Sequence, residues 1–259
     1  MDLLAARAAY DEHLRRNPAA APGEVVEKDA GVVRMLWEGG WAGVLWSDLG
    51  GLTSDEVDEA VAAEVARFAP RSTPWEWKWH AYDEPADLPD RLVAAGLTRG
   101  EDEALMVAEL AELDLDVRLP AGVRLEPVTD DVGVGRLVVV HDAVFGGDHS
   151  GIGRHVASGI AGDPPTCAAV VAMAGDEPVS SGRVELHHGT PFASIWGGGT
   201  VAAWRGQGVF RALVAQRAGV AADRGFRYLQ VDASPQSRPI LERLGFVQLT
   251  LTVPFTGGA

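Results

Sequence analysis

The chain has 259 residues, 47% of them hydrophobic, with a formal charge of −15 and a single cysteine. That length suits two domains, and a lone Cys167 excludes an intrachain disulfide and any multi-cysteine metal site. No apolar run reaches the ~20 residues that span a bilayer, the acid-containing N-terminus does not read as a secretory signal, and the acidic balance argues against nucleic acid. The expectation is a cytoplasmic protein with no metal, no membrane partner and no nucleic-acid partner.

The predicted elements run as follows. Leu3, Leu4, Ala8 and Leu14 recur at helical spacing before Pro18. Residues 31–37 and 41–49 read as strands, joined by a turn at Glu38-Gly39-Gly40. A helix follows from Thr53 or Ser54, with early acids, apolar residues at Val57, Val61, Val65 and Phe68, and a stop at Pro70. The strand "WEWKWHAY" puts Trp75, Trp77 and Trp79 on one face, as core or as the wall of an acceptor pocket. A short helix over "DLPDRLVAAGL" closes at Gly96, and "EALMVAEL" reads as a strand. After a linker over residues 111–123 come a strand, a helix over residues 130–147 and three strands within residues 167–201. These three are joined by turns at Gly175–Pro178 and His188–Pro191. A helix from Trp204, a strand "YLQVDA", a short helix "SRPILERLGF" and a closing strand complete the chain.

Both halves share one order: helix, strand, short helix ending in glycine plus an apolar residue, strand. Gly96-Leu97 and Gly245-Phe246 mark the matching ends, as an ancient duplication would leave them. The charge divides along the same line. Residues 1–116 hold 25 acids and 10 bases, and residues 117–259 hold 12 of each. The acidic half is a solubilising surface, or a field that draws a cationic partner.

One stretch carries chemistry. "WRGQGVFRALV" opens the helix that follows the third strand of residues 167–201. The first four N–H groups of a helix lack intrahelical partners, and the dipole adds positive charge there. Glycines at that point let an anion approach the amides without a Cβ in the way. Five arginines and one acid lie between Trp204 and Gln230. No GxxxxGK[ST], complete GxGxxG, GxSxG or HExxH is present.

Arg205-Gly206-Gln207-Gly208, between a strand and an amphipathic helix, resembles the pyrophosphate loop R/Q-x-x-G-x-G/A of the GNAT acyltransferases. Ile240–Phe246, "ILERLGF", resembles that family's "LYEKLGF". The resemblance covers residues 122–255. It implies an α/β (α+β mixed-sheet) fold of two GNAT-like domains, each with a central mixed sheet flanked by helices. Residues 1–116 would form a degenerate domain without a CoA site, and residues 117–259 the catalytic domain.

Acetyl-CoA or another acyl-CoA is the implied co-substrate. It would be held by Arg205, Gly206, Gln207, Gly208, Val209, Phe210 and Arg211, by backbone bonds of Thr200, Val201 and Ala202 on the preceding strand, and by Ser234 or Ser237. Gly197-Gly198-Gly199 suits a bulge there. Two departures stand out: Phe210 replaces the last small residue of the loop, and Leu241 replaces the tyrosine that serves as the family's usual acid. The reaction implied is transfer of the acyl group by direct attack of a primary amine on a small molecule, a cationic one included, or on a peptide. A non-catalytic acyl-CoA-binding protein is the alternative. Base candidates are Glu185 and Asp232, with His187 and the pair Asp148-His149 behind them. Cys167 reads as packed rather than nucleophilic.

Overall fold

Asp2 starts the first helix in the computed structural model of the chain, which describes residues 1–37 and 40–258. Its carboxylate accepts the N–H groups of Leu4 and Ala5, and α1 (Leu3–Tyr10) continues as π-helix over Asp11–Arg16. Strands β1 (Glu24–Asp29), β2 (Val32–Trp37) and β3 (Ala42–Ser47) form an antiparallel meander. The expected turn includes Glu38 and Gly39, which lie outside the described residues. No strand was expected at β1, whose mixed acids, lysine and valines show no clean alternation.

Helix α2 (Ser54–Phe68) begins in a capping box: Thr53 Oγ1 accepts the Glu56 N–H, and the Glu56 carboxylate accepts the Thr53 N–H. Val57, Val61 and Phe68 face inward, and Phe68 stacks on Trp75 at 4.5 Å. Strand β4 (Trp75–His80), helix α3 (Leu88–Ala94), β5 (Thr98–Arg99) and β6 (Glu103–Glu109) follow. Trp75 and Trp77 are buried and Trp79 packs against the same core, so these tryptophans are core residues rather than a pocket wall.

Next come β7 (Val123–Pro127), α4 (Asp131–Phe145), α5 (Ser150–Ile160), β8 (Cys167–Ala174), β9 (Glu177–Leu186) and β10 (Phe192–Thr200). Then follow α6 (Val209–Asp223), β11 (Tyr228–Ala233), α7 (Arg238–Arg243) and β12 (Val247–Gly257). Helix α5 forms where no element was expected. Its glycines lower helix propensity but permit close packing: a Cβ on Gly153 would lie 2.8 Å from Val138 of α4.

The residues group into two units. The C-terminal unit holds Met1, Val107–Val231 and Ser237–Val247; the N-terminal unit holds Asp2–Met106, Asp232–Gln236 and Gln248–Ala259. A single boundary at 116/117 therefore does not describe them. The reason is strand pairing: β12 runs antiparallel to β4, from Thr252↔His80 to Gly257↔Trp75, and so belongs with the N-terminal residues. The strand order there is β1-β2-β3-β4-β12, with β5 on β12; in the C-terminal unit it is β7-β8-β9-β10-β11.

In each unit the strands pair in both senses. Only β3–β4 in the first, and β10–β11 in the second, pair in parallel among these neighbours. In the C-terminal unit, Cys167, Ala169, Val171 and Met173 of β8 pack with α4 and α5, while Ala172 packs with Val209 of α6. Alternation along one strand thus puts helices on both faces.

The repeated order is visible in detail. The segments α2-β4-α3 and α6-β11-α7 both end in a left-handed glycine, Gly96 at φ +94 and Gly245 at φ +102. In each, the next N–H reaches back to the short helix, Leu97 to Leu92 O and Phe246 to Leu241 O, both at 3.1 Å.

Candidate functional site

Strands β10 and β11 pair at only three positions, Phe192↔Tyr228, Ala193↔Leu229 and Ser194↔Gln230. Beyond Ser194 they part, although β10 continues to Thr200 and β11 to Ala233. The register of β10 against β9 shifts between Trp196 and Gly199, so the expected bulge is present. Its glycines sit where helices press in from both faces. A Cβ on Gly197 would lie 2.4 Å from His141 Nε2, and φ there is +59; on Gly198 it would lie 3.0 Å from Phe210; on Gly199, 2.8 Å from Val144.

The chain then turns through Ala202–Trp204 into the arginine–glycine loop. Arg205 Nε donates to Thr200 O at 3.0 Å, and Gln207 Nε2 donates to Ala203 O at 3.0 Å. Gly208, at φ +87, caps α6 without any side-chain hydrogen bond, and no acid lies in the first turn. The amides of Val209, Phe210 and Arg211 thus begin a helix that no side chain caps among the described residues. Arg205, Gly206, Gln207 and Arg211 are exposed. Helix α2, the matching helix of the N-terminal unit, has its first amides satisfied by the capping box and carries Asp55 and Glu56 in its first turn. The α6 start thus presents open amides and positive potential, and the α2 start presents negative charge.

The three residues preceding this loop are partly engaged. Val201 N–H donates to Val179 O at 2.9 Å, toward β9. Thr200 O takes Arg205 Nε, and Ala202 O accepts the Arg205 N–H at 3.3 Å. Ser237 lies just before α7, where its carbonyl accepts the N–H groups of Ile240 and Leu241. Ser234 follows β11 and belongs to the N-terminal unit. Leu241 is fully buried.

The carboxylates expected as bases are each held by other groups. Glu185, on β9, accepts from His155 Nε2 at 2.9 Å and Arg183 Nε at 2.6 Å. Burial alone would raise its pKa, but the His155 hydrogen bond and the Arg183 charge outweigh burial and bring it down to about 2. A carboxylate so stabilised is a weak proton acceptor at neutral pH. Asp232 belongs to the N-terminal unit, where it accepts from Thr252 Oγ1 at 3.1 Å and lies 3.7 Å from Lys78 Nζ. Lys78 also meets Glu103 at 2.9 Å and Glu76 at 3.4 Å. His187 shares a 2.7 Å hydrogen bond with Ser194 Oγ, and burial pushes it down to about 4. Cys167 is buried, and burial pushes its thiol up.

A histidine pairing not legible in the sequence emerges at the end of α4. His149 Nδ1 lies 3.0 Å from Asp142 Oδ1, and the His149 backbone N–H donates to the same oxygen at 2.9 Å. Asp148, the expected partner, instead accepts the Ser150 N–H at 2.8 Å. A carboxylate oxygen accepts, so Nδ1 is the donor in this pair and Nε2 is the ring nitrogen turned away from it. The rings of His141, Phe145 and His149 form one cluster, with centroids 5.5–6.1 Å apart. Phe145 reaches the bulge, 3.2 Å from where a Gly199 Cβ would stand.

The N-terminal unit repeats the splay and closes it with its own side chains. Strands β3 and β4 pair only at Gly43↔Glu76 and Val44↔Trp77. Where they diverge, Arg15 Nε donates to Leu45 O of β3 at 3.0 Å, and Asp83 Oδ2 accepts the His80 N–H of β4 at 3.0 Å. Arg15 and Asp83 join each other at 2.7 Å, both buried, so one ion pair bridges the two strand edges. The guanidinium also covers the Trp46 ring at 4.5 Å.

Among the described residues no group of three or more His, Cys, Asp or Glu side chains could hold a metal ion, and no helix is long and apolar enough to cross a membrane. No family model matches the chain, and no curated protein does. Solved structures do. A GCN5-related N-acetyltransferase from Kribbella flavida shares 18% identity over 92% of this chain and 91% of its own, with a TM-score of 0.69. One from Sphaerobacter thermophilus shares 14% identity over 88% of this chain and 77% of its own, at 0.62. A tandem GNAT protein from the clavulanic acid biosynthesis pathway shares 17% identity over 92% and 84%, at 0.57. With its two splayed strand pairs and repeated helix–strand–helix order, the chain has the fold of the GCN5-related N-acetyltransferases in tandem form.

Proposed function

We propose that the chain is an N-acyltransferase that moves an acetyl or other acyl group from acyl-CoA to a primary amine. The observation that carries this reading is the contrast between two helix starts in one chain. Gly208 leaves α6 uncapped beside a glycine bulge, whereas α2 caps itself and carries acids. The amides of Gln207, Gly208, Val209, Phe210 and Arg211 suit the pyrophosphate, with Arg205 and Arg211 supplying charge nearby. The acyl-CoA supplies a thioester carbon open to attack.

In this reading the amine nitrogen bonds to that carbon and the C–S bond breaks. His149, oriented by Asp142, takes the amine's proton at Nε2, and the thiolate leaves protonated by that imidazolium or by water. Glu185, already ion-paired at about pKa 2, serves to fix Arg183 and His155 rather than to accept a proton. A small cationic amine fits the acidic balance of the chain.

Calorimetry with acetyl-CoA tests the first step. A screen of small amines, amino acids and aminoglycosides, read by acceptor-dependent thiol release, tests the second. Binding without turnover of any amine would leave a ligand-binding protein. Unchanged kcat in His149→Gln and Asp142→Asn would remove the dyad from the mechanism.

A further inference from the structure

Arg217 is an unusual residue for a helix interior. It is 2% exposed, on the inward face of α6, between Leu213, Val214, Ala218 and Ala221. Among the described residues no carboxylate lies within ion-pair distance of it; its side-chain hydrogen bonds go to backbone carbonyls. Nε bonds Leu213 O at 3.0 Å within its own helix. One terminal nitrogen reaches Arg183 O of β9 at 3.2 Å and Trp196 O of β10 at 3.4 Å. Both approaches need glycine: a Cβ on Gly182 would lie 2.7 Å from the guanidinium, and on Gly198 3.1 Å. Burial without an acid, with the Arg183 charge nearby, pushes this arginine down to about 9, so it stays a cation at neutral pH against a desolvation cost. A buried apolar side chain would be the more stable choice there.

The two carbonyls it holds belong to Trp196 and Arg183, the last regular β9–β10 pair before the register shift. One nitrogen touching both strands means that both carbonyls turn toward the gap between them. A trans peptide is planar, so the N–H that follows Trp196 O, that of Gly197, points the opposite way. That side is the one from which β11 has parted. We propose that Arg217 is a positioning residue for acyl transfer: it pins the Trp196 carbonyl at the bulge and thereby aims the Gly197 N–H at the thioester oxygen, where charge develops during attack. This rests on the acyltransferase reading above.

The test uses the full chain, acetyl-CoA and an amine turned over by the wild type. Arg217→Met should bind acetyl-CoA with unchanged Kd and melt no lower than the wild type, because an unpaired buried charge has gone. Its kcat should fall roughly 30-fold. Arg217→Lys, which keeps a charged donor, should recover most of that loss. In the wild type the Gly197 amide resonance should shift on saturation with acetyl-CoA. Full kcat in Arg217→Met overturns the proposal, as does equal loss of Tm, affinity and kcat in both variants, which is the behaviour of a packing residue. Should Arg217→Met not fold, an unmoved Gly197 resonance in the wild type overturns it. A wild type that does not bind acetyl-CoA removes the acyltransferase reading itself, a result distinct from all of these.

Discussion

Gly208→Glu is the sharpest probe of the loop. At φ +87, any side chain pays ~1–2 kcal/mol in backbone strain. Space is not the obstacle, since among the described residues a Cβ there would meet only Arg118 O, at 3.7 Å. The new carboxylate would stand at the helix start, where no side chain now caps α6. For the fold this is partly favourable, because acids stabilise helix N-termini by ~0.3–1 kcal/mol. For a bound pyrophosphate it is not: two unit charges ~5 Å apart at an effective dielectric of ~20 repel by about 3 kcal/mol, roughly 100-fold in Kd. Calorimetry with acetyl-CoA at low and high salt reads this directly, and the deficit should shrink as salt screens the pair. Gly208→Ala carries the strain without the charge and should bind far better than Gly208→Glu. A folded Gly208→Glu protein within threefold of the wild-type Kd would refute the assignment, and an equally weak Gly208→Ala would mean that strain, not charge, decides.

Gly197→Ala should lose at least ~2 kcal/mol of stability by chemical denaturation, since φ is +59 and the new methyl would meet His141 Nε2 at 2.4 Å. Glu185→Gln should cost ~3 kcal/mol near neutral pH, because the carboxyl titrates at about 2 in the fold instead of its ordinary 4.5. The sign follows from that depression: the contribution is full above pH 4.5 and is lost as pH falls toward 2, so the variant's stability should be flatter across that window in acid titrations. The same variant should keep the limbs of the wild-type pH–rate profile above pH 5. Arg15→Ala should destabilise by ~3–5 kcal/mol, since it strands a buried Asp83, while the paired replacement Arg15→Met with Asp83→Leu should cost less than the single change.

Local signals were legible in the sequence. The helix start at Thr53 or Ser54, the stop glycines Gly96 and Gly245, and the arginine–glycine loop each depend on a few neighbouring residues. Non-local facts were not. The alternation of β12 shows that it is a strand but says nothing of its partner, and β4 lies more than 160 residues away in sequence. Helix α5 hides behind three glycines, two of which, Gly153 and Gly159, its packing requires. Asp142 and His149 meet across a helix end and a double-glycine turn, through a chain reversal that periodicity does not describe. Arg217 did leave a trace. It lies four residues from both Leu213 and Ala221, on the apolar stripe of α6, and an arginine in that row is a buried cation to be explained rather than a surface charge.

The Arg15–Asp83 bridge has a stoichiometric consequence. Two splayed strand pairs would by themselves suggest two equivalents of ligand per chain. In the N-terminal unit a guanidinium and a carboxylate already take the Leu45 carbonyl and the His80 amide, the strand-edge groups that an extended ligand would have to pair with. A ligand arriving there would have to break a buried ion pair before making its first bond. Saturation at one acetyl-CoA per chain is therefore expected, so a titration would count chains. Arg15→Ala, if folded, should still bind one, because α2 keeps its capping box and its first-turn acids.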